Sequence, residues 1–146
     1  MSNSKTIIVN NCEFRWAKLA KPVNPFGSGD AYEVQIVTND EMVANVWANQ
    51  NLLVKSKETP EGKEYYVNLK RWAKSPTSGK EYDAPSVVNS AKEPIDPAIV
   101  GNGSKGKIKV YQYEWTKGGR SGIATIFVAL QVTDLVEYNP EATVDF

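Results

Sequence analysis

A regular alternation of residue types runs through Lys105-Gly-Lys-Ile-Lys-Val-Tyr-Gln-Tyr-Glu-Trp115. Successive side chains of a β-strand point to opposite faces of the sheet, so a strand here turns Ile108 and Val110 towards a core. The opposite face carries cations followed by aromatic rings: Lys107, Lys109, Tyr111, Tyr113 and Trp115. Positive charge pairs with phosphates and aromatic rings stack on bases, so this face is suited to single-stranded nucleic acid.

The segment from Lys63 to Lys74 divides by parity in the same way. Tyr65, Val67 and Leu69 share one face of a predicted strand. The other face carries Tyr66, Asn68, Lys70, Trp72 and Lys74. Lysine rarely enters a protein core, so aromatic residues that share a face with lysine are expected at the surface. We therefore expect the two strands to contribute to one extended surface.

Two further strands are predicted in the N-terminal half, over residues 6–19 and 31–38. In the first, one parity carries Cys12, Phe14 and Trp16, and the other carries Glu13 and Arg15. Phe14 is assigned to the core. Cys12 is the one cysteine, which excludes an intramolecular disulfide, and we expect it to be a half-buried residue in a reducing compartment.

One helix is predicted to begin at Glu41, where Asn39 or Asp40 can cap it. Its apolar residues fall roughly on one face and are expected to pack against the sheet: Val43, Val46, Trp47 and Val54. The segment from Lys57 to Gly62 is predicted to be a turn.

The C-terminal half predicts a hairpin. A long strand over Gly103 to Trp115 is followed by the turn Lys117-Gly-Gly-Arg120 and by a last strand from Gly122 to Tyr138. In the last strand, Ile126, Val128, Leu130 and Val132 have the core parity, and Phe127 lies on the opposite parity.

Five strands and one helix predict a mainly β protein with a five-stranded barrel. Such a barrel with a nucleic-acid face is the OB-fold. Residues 1–138 are expected to form this single OB-fold-like domain, and residues 139–146 a short acidic tail that ends in Phe. Net charge is zero, but acids dominate after Asp134, whereas Lys and Arg outnumber Asp and Glu over residues 63–133.

The composition excludes several function classes. There is no His, which removes the usual general base and the commonest metal ligand. Zinc sites and Ser-His or Cys-His nucleophiles are therefore excluded, and we expect neither a cofactor nor catalysis. No apolar run reaches 18 residues, so no membrane span is expected. No signal-peptide pattern is found at the N-terminus, which favours a cytoplasmic protein.

Several ordered motifs carry a family resemblance: Pro85-Ser-Val-Val-Asn-Ser-Ala-Lys-Glu-Pro-Ile95, Val100-Gly-Asn-Gly-Ser104, Tyr113-Glu-Trp115, Leu130-Gln-Val-Thr-Asp-Leu-Val-Glu-Tyr138 and the terminal Asp145-Phe146. Their order resembles the phage single-stranded-DNA-binding proteins related to the gene 2.5 product of phage T-seven. The resemblance implies an OB-fold, action in the cytoplasm of an infected bacterium, and a role in DNA replication, recombination and repair. It also implies that the tail recruits a replication polymerase or primase-helicase.

The leading hypothesis is thus a non-enzymatic protein that binds single-stranded DNA with little sequence preference. Its expected nucleic-acid-binding residues are Arg15, Tyr66, Lys70, Trp72, Lys74, Lys107, Lys109, Tyr111, Tyr113, Trp115 and Arg120, and its partner-binding tail residues are Glu141, Asp145 and Phe146. The alternatives are a protein-interaction or virion structural module without nucleic-acid binding and, less favoured, a carboxylate metal nuclease. Whether the protein is a homodimer stays open.

Overall fold

Seven strands and one helix make up the described part of the chain. The structure, a computed structural model, describes residues 4–23, 30–74 and 80–137. In chain order the elements are β1 (Ser4–Val23), β2 (Ala31–Thr38), α1 (Glu41–Asn49), β3 (Lys55–Thr59), β4 (Gly62–Trp72), β5 (Ser86–Asn89), a 3₁₀ turn (Pro97–Ile99), β6 (Ser104–Lys117) and β7 (Arg120–Asp134).

The strands form one sheet in the order β3-β4-β2-β1-β6-β7-β5. All neighbours are antiparallel except β5 and β7, which are parallel. The sheet curves in the manner of an OB-like fold, but its described edge strands, β3 and β5, are not paired with each other. The prediction of a five-stranded barrel was therefore wrong: two short strands extend the sheet, and the sheet does not close.

The core lies on one face of this sheet. Phe14, Ile36 and Val67 stand opposite one another across β1, β2 and β4, and Ile108 stands opposite Leu130 across β6 and β7. All five are buried in a single apolar cluster. Burial of each such side chain stabilises the fold by about 1.5–3 kcal/mol, which fixes the register of every strand that contributes one.

Two bulges bend β1. Asn11 and Trp16 have φ angles of 60° and 54°, and the pairing of β1 with its neighbours slips beside each of them. Bulges increase the local twist of a strand, so the first half of β1 can pair with β6 while the second half pairs with β2. The first bulge also turns Cys12 fully into the core, where a half-buried position was expected.

Helix α1 begins at Glu41 as predicted. The Asp40 carboxylate accepts a hydrogen bond of 2.9 Å from the backbone N–H of Met42 and so caps the first turn. Trp47 is buried, and its indole N–H donates to the Asn10 carbonyl at 3.1 Å. Val46, however, is 57% exposed, because the short helix turns only Ala44 and Trp47 fully into the core.

A bulge in β7 reverses part of its predicted parity. Lys109 faces Ala129, but the next residue, Val110, faces Phe127, so Val128 has no directly opposite partner. Phe127 consequently points into the core and is 0% exposed. The prediction that put Phe127 on the outer face was wrong for this reason, whereas Leu130 and Val132, which follow the bulge, are buried as expected.

The predicted turn from Lys57 to Gly62 is largely strand. Lys55 to Thr59 pair with β4 from Tyr66 back to Gly62, so only the two residues between these strands form the turn. β3 is an edge strand with no fully buried residue, which explains why its sequence shows no apolar alternation.

Candidate nucleic-acid interface

The outer face of β6 carries the predicted row of cations and aromatic rings. We call this row the β6 strip: Lys107, Lys109, Tyr111, Tyr113 and Trp115. Between its first four members Ile108, Val110 and Gln112 are buried, so the alternation holds from Lys107 to Tyr113, whereas Glu114, which precedes Trp115, is exposed. Tyr111 is 37% exposed and Trp115 41% exposed, and the Tyr111 and Tyr113 ring centroids lie 5.8 Å apart at an interplanar angle of 35°.

The β6 strip rests on a firmly held strand. The buried Gln112 amide donates to the Gln50 carbonyl at 2.8 Å and to Thr125 Oγ1 at 3.1 Å, which ties β6 to the end of α1 and to β7. At Gly106 a Cβ atom would overlap the Gln131 carbonyl, so β6 and β7 approach closely where the strip begins. The aromatic rings therefore project from a strand whose position is fixed by contacts with the end of α1 and with β7.

No acid stands directly opposite either lysine of the β6 strip on the neighbouring strands, although Glu13 and Asp40 line the same cleft as Lys107. Lys109 faces Ile8 on one side and Ala129 on the other, and Lys107 faces Gln131. Within the described ranges no salt bridge involves either lysine. The strip thus keeps its positive charge available to an anionic ligand. Arg120 lies beyond Trp115 at the exposed hairpin, opposite Lys117.

A second row lies on the outer face of β4 and its C-terminal extension. We call it the β4 strip: Tyr66, Lys70, Trp72 and Lys74. As the parity predicts, Val67 and Leu69 are buried beneath it and Lys70 is exposed. The Lys70 ammonium lies 4.6 Å from the centroid of the Trp72 ring, within the range of a cation–π contact. One face of the Trp72 ring is thus shared with a cation of the protein itself.

The two strips belong to one sheet but lie along different halves of β1. Lys70 faces Glu33, which faces Lys18, whereas Tyr111 faces Thr6. Lys18 and Thr6 would stand about 40 Å apart along a straight strand, and the bends in β1 shorten this. The expected extended surface is therefore two strips offset along the sheet, without direct cross-strand contact.

Arg15 lies between the strips with its charge already engaged. Its guanidinium contacts Glu13 at 3.1 Å and Glu64 at 2.9 Å, and Lys57 contacts Glu64 at 3.4 Å. Glu64 is buried, so Arg15 supplies much of the compensation that this carboxylate needs. The arrangement gives Arg15 a structural partner in addition to its predicted role in phosphate binding.

Trp16 is an exposed aromatic residue that the sequence analysis missed. The parity of Cys12 and Phe14 indicated the core face, but the bulge at Trp16 turns its side chain outwards, and it is 62% exposed. Its backbone N–H donates to Asn102 Oδ1 at 2.8 Å, which holds the bulge in place. Since Asn102 is 86 residues away in sequence, no local signal identifies this position.

The tail residues lie outside the part of the chain that the structure describes, and the expectations about metal sites and membrane spans concern that described part alone. Glu141, Asp145 and Phe146 of the tail are not among the residues that the structure describes. Over 4–23, 30–74 and 80–137, no group of acidic and thiol side chains could hold a metal ion. In the same ranges no helix is both long and apolar enough to cross a membrane.

Comparison with known proteins identifies the fold. No protein-family model matches the chain, and no curated protein matches it. Among solved structures, the single-stranded DNA-binding protein from bacteriophage Enc34 is similar over 96% of this chain and 87% of its own, with a TM-score of 0.57 and 16% identity. The chain has the fold of phage single-stranded-DNA-binding proteins. The resemblance drawn from the sequence is confirmed at this level.

Two further solved structures show the same likeness. The Enc34 protein in complex with single-stranded DNA aligns over 92% of this chain and 89% of its own, with a TM-score of 0.56 and 14% identity. The single-stranded DNA-binding protein gp2.5 of bacteriophage T7 aligns over 95% of this chain and 90% of its own, with a TM-score of 0.50 and 16% identity.

Proposed function

We propose that this protein binds single-stranded DNA with little sequence preference and without catalysis. The observation that carries the proposal is the β6 strip, in which two lysines that form no salt bridge within the described ranges are followed by three aromatic rings on one strand face. The fold likeness adds support, because one of the similar structures is a complex with single-stranded DNA.

In this mechanism bases stack on Tyr111, Tyr113 and Trp115 while Lys107 and Lys109 pair with phosphates. Each stacked base contributes about 1–3 kcal/mol, and the contact tolerates any base because every base has an aromatic face. The β4 strip adds Tyr66, Lys70, Trp72 and Lys74 as further contacts. Arg15 and Arg120 complete the set, with Arg15 contributing least because two carboxylates already hold it.

The wider role follows from the same proposal. The protein acts in phage DNA replication, recombination and repair in the cytoplasm of an infected bacterium. Residues 1–138 bind DNA, and the acidic tail of residues 139–146 recruits a replication polymerase or primase-helicase through Glu141, Asp145 and Phe146. Deletion of Asp145 and Phe146 abolishes that recruitment in this account, and a pull-down with the polymerase or primase-helicase tests it.

Fluorescence anisotropy of a labelled oligo(dT), measured over a series of salt concentrations, tests the DNA-binding proposal. Binding weakens as salt rises, because each neutralised phosphate releases a counterion. The double variant Lys107→Gln/Lys109→Gln lowers the slope of log K against log salt by about 1.4, from about 0.7 per phosphate contact. Lys92→Gln, at an exposed turn that belongs to neither strip, serves as the control and leaves the slope unchanged.

One observation supports the second candidate, a protein-interaction module. Helix α1 and the segment after it expose Met42, Val46 and Leu53, which are suited to contact another protein. This candidate predicts no salt-dependent affinity for DNA. Absence of oligo(dT) binding at low salt would favour it and would end the DNA-binding proposal.

A further inference from the structure

A pocket between β1, β2 and β4 lies apart from the β6 strip. It is lined by Trp16, Glu33, Gln35, Asn68 and Lys70 and has a volume of about 490 Å³. This volume is within the range of sites that hold small ligands. Resting on the proposed function, we propose that this pocket takes one nucleobase of the bound strand and favours cytosine or adenine, which carry an amino group at C4 of the pyrimidine or C6 of the purine, over thymine or uracil.

Trp16 supplies the stacking wall. Its left-handed backbone conformation is unfavourable for a residue with a bulky side chain, and such strain persists only where the surroundings enforce it. The hydrogen bond from its N–H to Asn102 Oδ1 is one such constraint. The indole is thus presented to solvent before any ligand arrives, so a base can stack on it without a rearrangement of β1.

Two carboxamides form the polar side of the pocket. Gln35 and Asn68 face each other across β2 and β4, and the Gln35 amide N–H donates to Asn68 Oδ1 at 3.0 Å. Gln35 Oε1 is buried, yet it has no hydrogen-bond partner within the described part of the chain. A buried acceptor without a partner is costly, so rotation of this amide towards a donor in the pocket is favourable.

Glu33 adds acceptors beside the same wall. It lies two residues before Gln35 on β2, hence on the same face of the sheet, and stands between Lys18 and Lys70. Its carboxylate and Gln35 Oε1 are both acceptors, and the amino group of cytosine or adenine offers two N–H donors. Thymine and uracil present a carbonyl oxygen at that position and only the single N3–H donor beside it, so they would leave one of the two acceptors unpaired.

Lys70 is placed to contact the phosphate of the same nucleotide. Its ammonium lies over the Trp72 ring, at the side of the pocket formed by β4, and carries a charge that suits a phosphate. A nucleotide with its base on Trp16 therefore has a cation within the same pocket. The selection concerns one base per bound protein, which agrees with a weak overall sequence preference.

Oligo(dC) and oligo(dU) form the matched pair of probes, because their bases differ only on the edge that the pocket would read. By competition anisotropy, the wild-type protein is expected to bind oligo(dC) about five-fold more tightly than oligo(dU), the low end of what a pair of base-edge hydrogen bonds discriminates. Gln35→Met removes both amide atoms at similar length and lowers the ratio towards one. Gln35→Glu keeps an acceptor there and retains the preference.

Trp16→Ala should weaken binding of both oligonucleotides while Asn68→Ala reduces mainly the ratio between them. Thermal unfolding of each variant checks its fold. If Gln35→Met does not fold, the ratio of the wild-type affinities for oligo(dC) and oligo(dU) still tests the base preference of the pocket. Equal affinity of the wild-type protein for oligo(dC) and oligo(dU) overturns the pocket and leaves the proposed function intact. Failure to bind either oligonucleotide overturns the proposed function itself.

Discussion

The indole of Trp115 covers the site that a side chain at position 122 would occupy. Gly122 faces Trp115 directly across β6 and β7, and a Cβ atom added to Gly122 would lie 2.8 Å from Cζ2 of Trp115. The bare glycine backbone therefore supports one side of the ring. Trp115 as a whole is 41% exposed, which leaves the other side of its ring accessible to a base.

Gly122→Ala should displace this indole and weaken binding of single-stranded DNA several-fold, because the added methyl group and the ring cannot both occupy the site. Anisotropy with oligo(dT) measures the effect. In a Trp115→Ala background the same glycine substitution should change little, since the ring it displaces is gone. Equal losses in both backgrounds would mean that Gly122 does not act through Trp115.

Trp115→Ala should cost more binding free energy than Trp72→Ala. A stacked ring contributes about 1–3 kcal/mol per base, but one face of Trp72 is shared with the Lys70 ammonium at 4.6 Å. Affinities for oligo(dT) give the two losses, and circular dichroism verifies that both variants remain folded. A larger loss at Trp72 would show that the β4 strip, rather than the β6 strip, dominates binding.

Arg15→Gln should lower stability more than it lowers DNA affinity. The substitution leaves the buried Glu64 with Lys57 as its remaining cation, at 3.4 Å, and deprives Glu13 of its contact. We expect the free energy of unfolding to fall by about 1–3 kcal/mol in urea titrations. Arg120→Gln, at the exposed hairpin, is the control: it should leave stability unchanged and reduce the salt slope by about 0.7. The reverse pattern would contradict this assignment.

Cys12 should make the protein less stable at alkaline pH. Burial raises the pKa of its thiol to about 12, against 9.0 for an ordinary thiol, although a hydrogen bond with the Ile108 backbone acts in the opposite direction. Between these values the unfolded chain binds fewer protons than the native chain, so the free energy of unfolding falls as pH rises, by up to about 1.4 kcal/mol per pH unit.

Cys12→Ala provides the comparison, because it removes the titrating thiol and keeps a small residue. The difference in free energy of unfolding between the two proteins should be constant below pH 9 and should shift against the wild type above it. A constant difference from pH 7 to pH 11 would show that the native thiol titrates normally. The native thiol should also resist alkylation at pH 8.

Features that depend on neighbouring residues could be predicted from the sequence. The bounds of β2, the start of α1 at Glu41 and the hairpin at Lys117–Arg120 follow from alternation, from the Asp40 cap and from two glycines at the turn. The β6 strip follows for the same reason, since alternation with buried Ile108 and Val110 determines which face each side chain takes.

Features that depend on contacts between residues far apart in the sequence could not be predicted. The outward turn of Trp16 rests on a bulge held by Asn102, and the burial of Phe127 rests on a bulge opposite Lys109 and Val110. One extra residue in a strand reverses the parity of all residues on one side of it. The sequence of the strand does not show where such a bulge lies, because the bulge depends on the pairing with the neighbouring strand. The pocket beside Trp16 was missed for this reason.

Intrinsic tryptophan fluorescence tests most directly whether the exposed aromatic rings stack on the bases of single-stranded DNA. Trp16, Trp72 and Trp115 line the proposed surfaces, whereas Trp47 is buried and reports only on unfolding. Titration with poly(dT) at low salt should quench the fluorescence strongly, high salt should reverse the quenching, and duplex DNA should have little effect. Unchanged fluorescence at saturating poly(dT) and low salt would contradict the account.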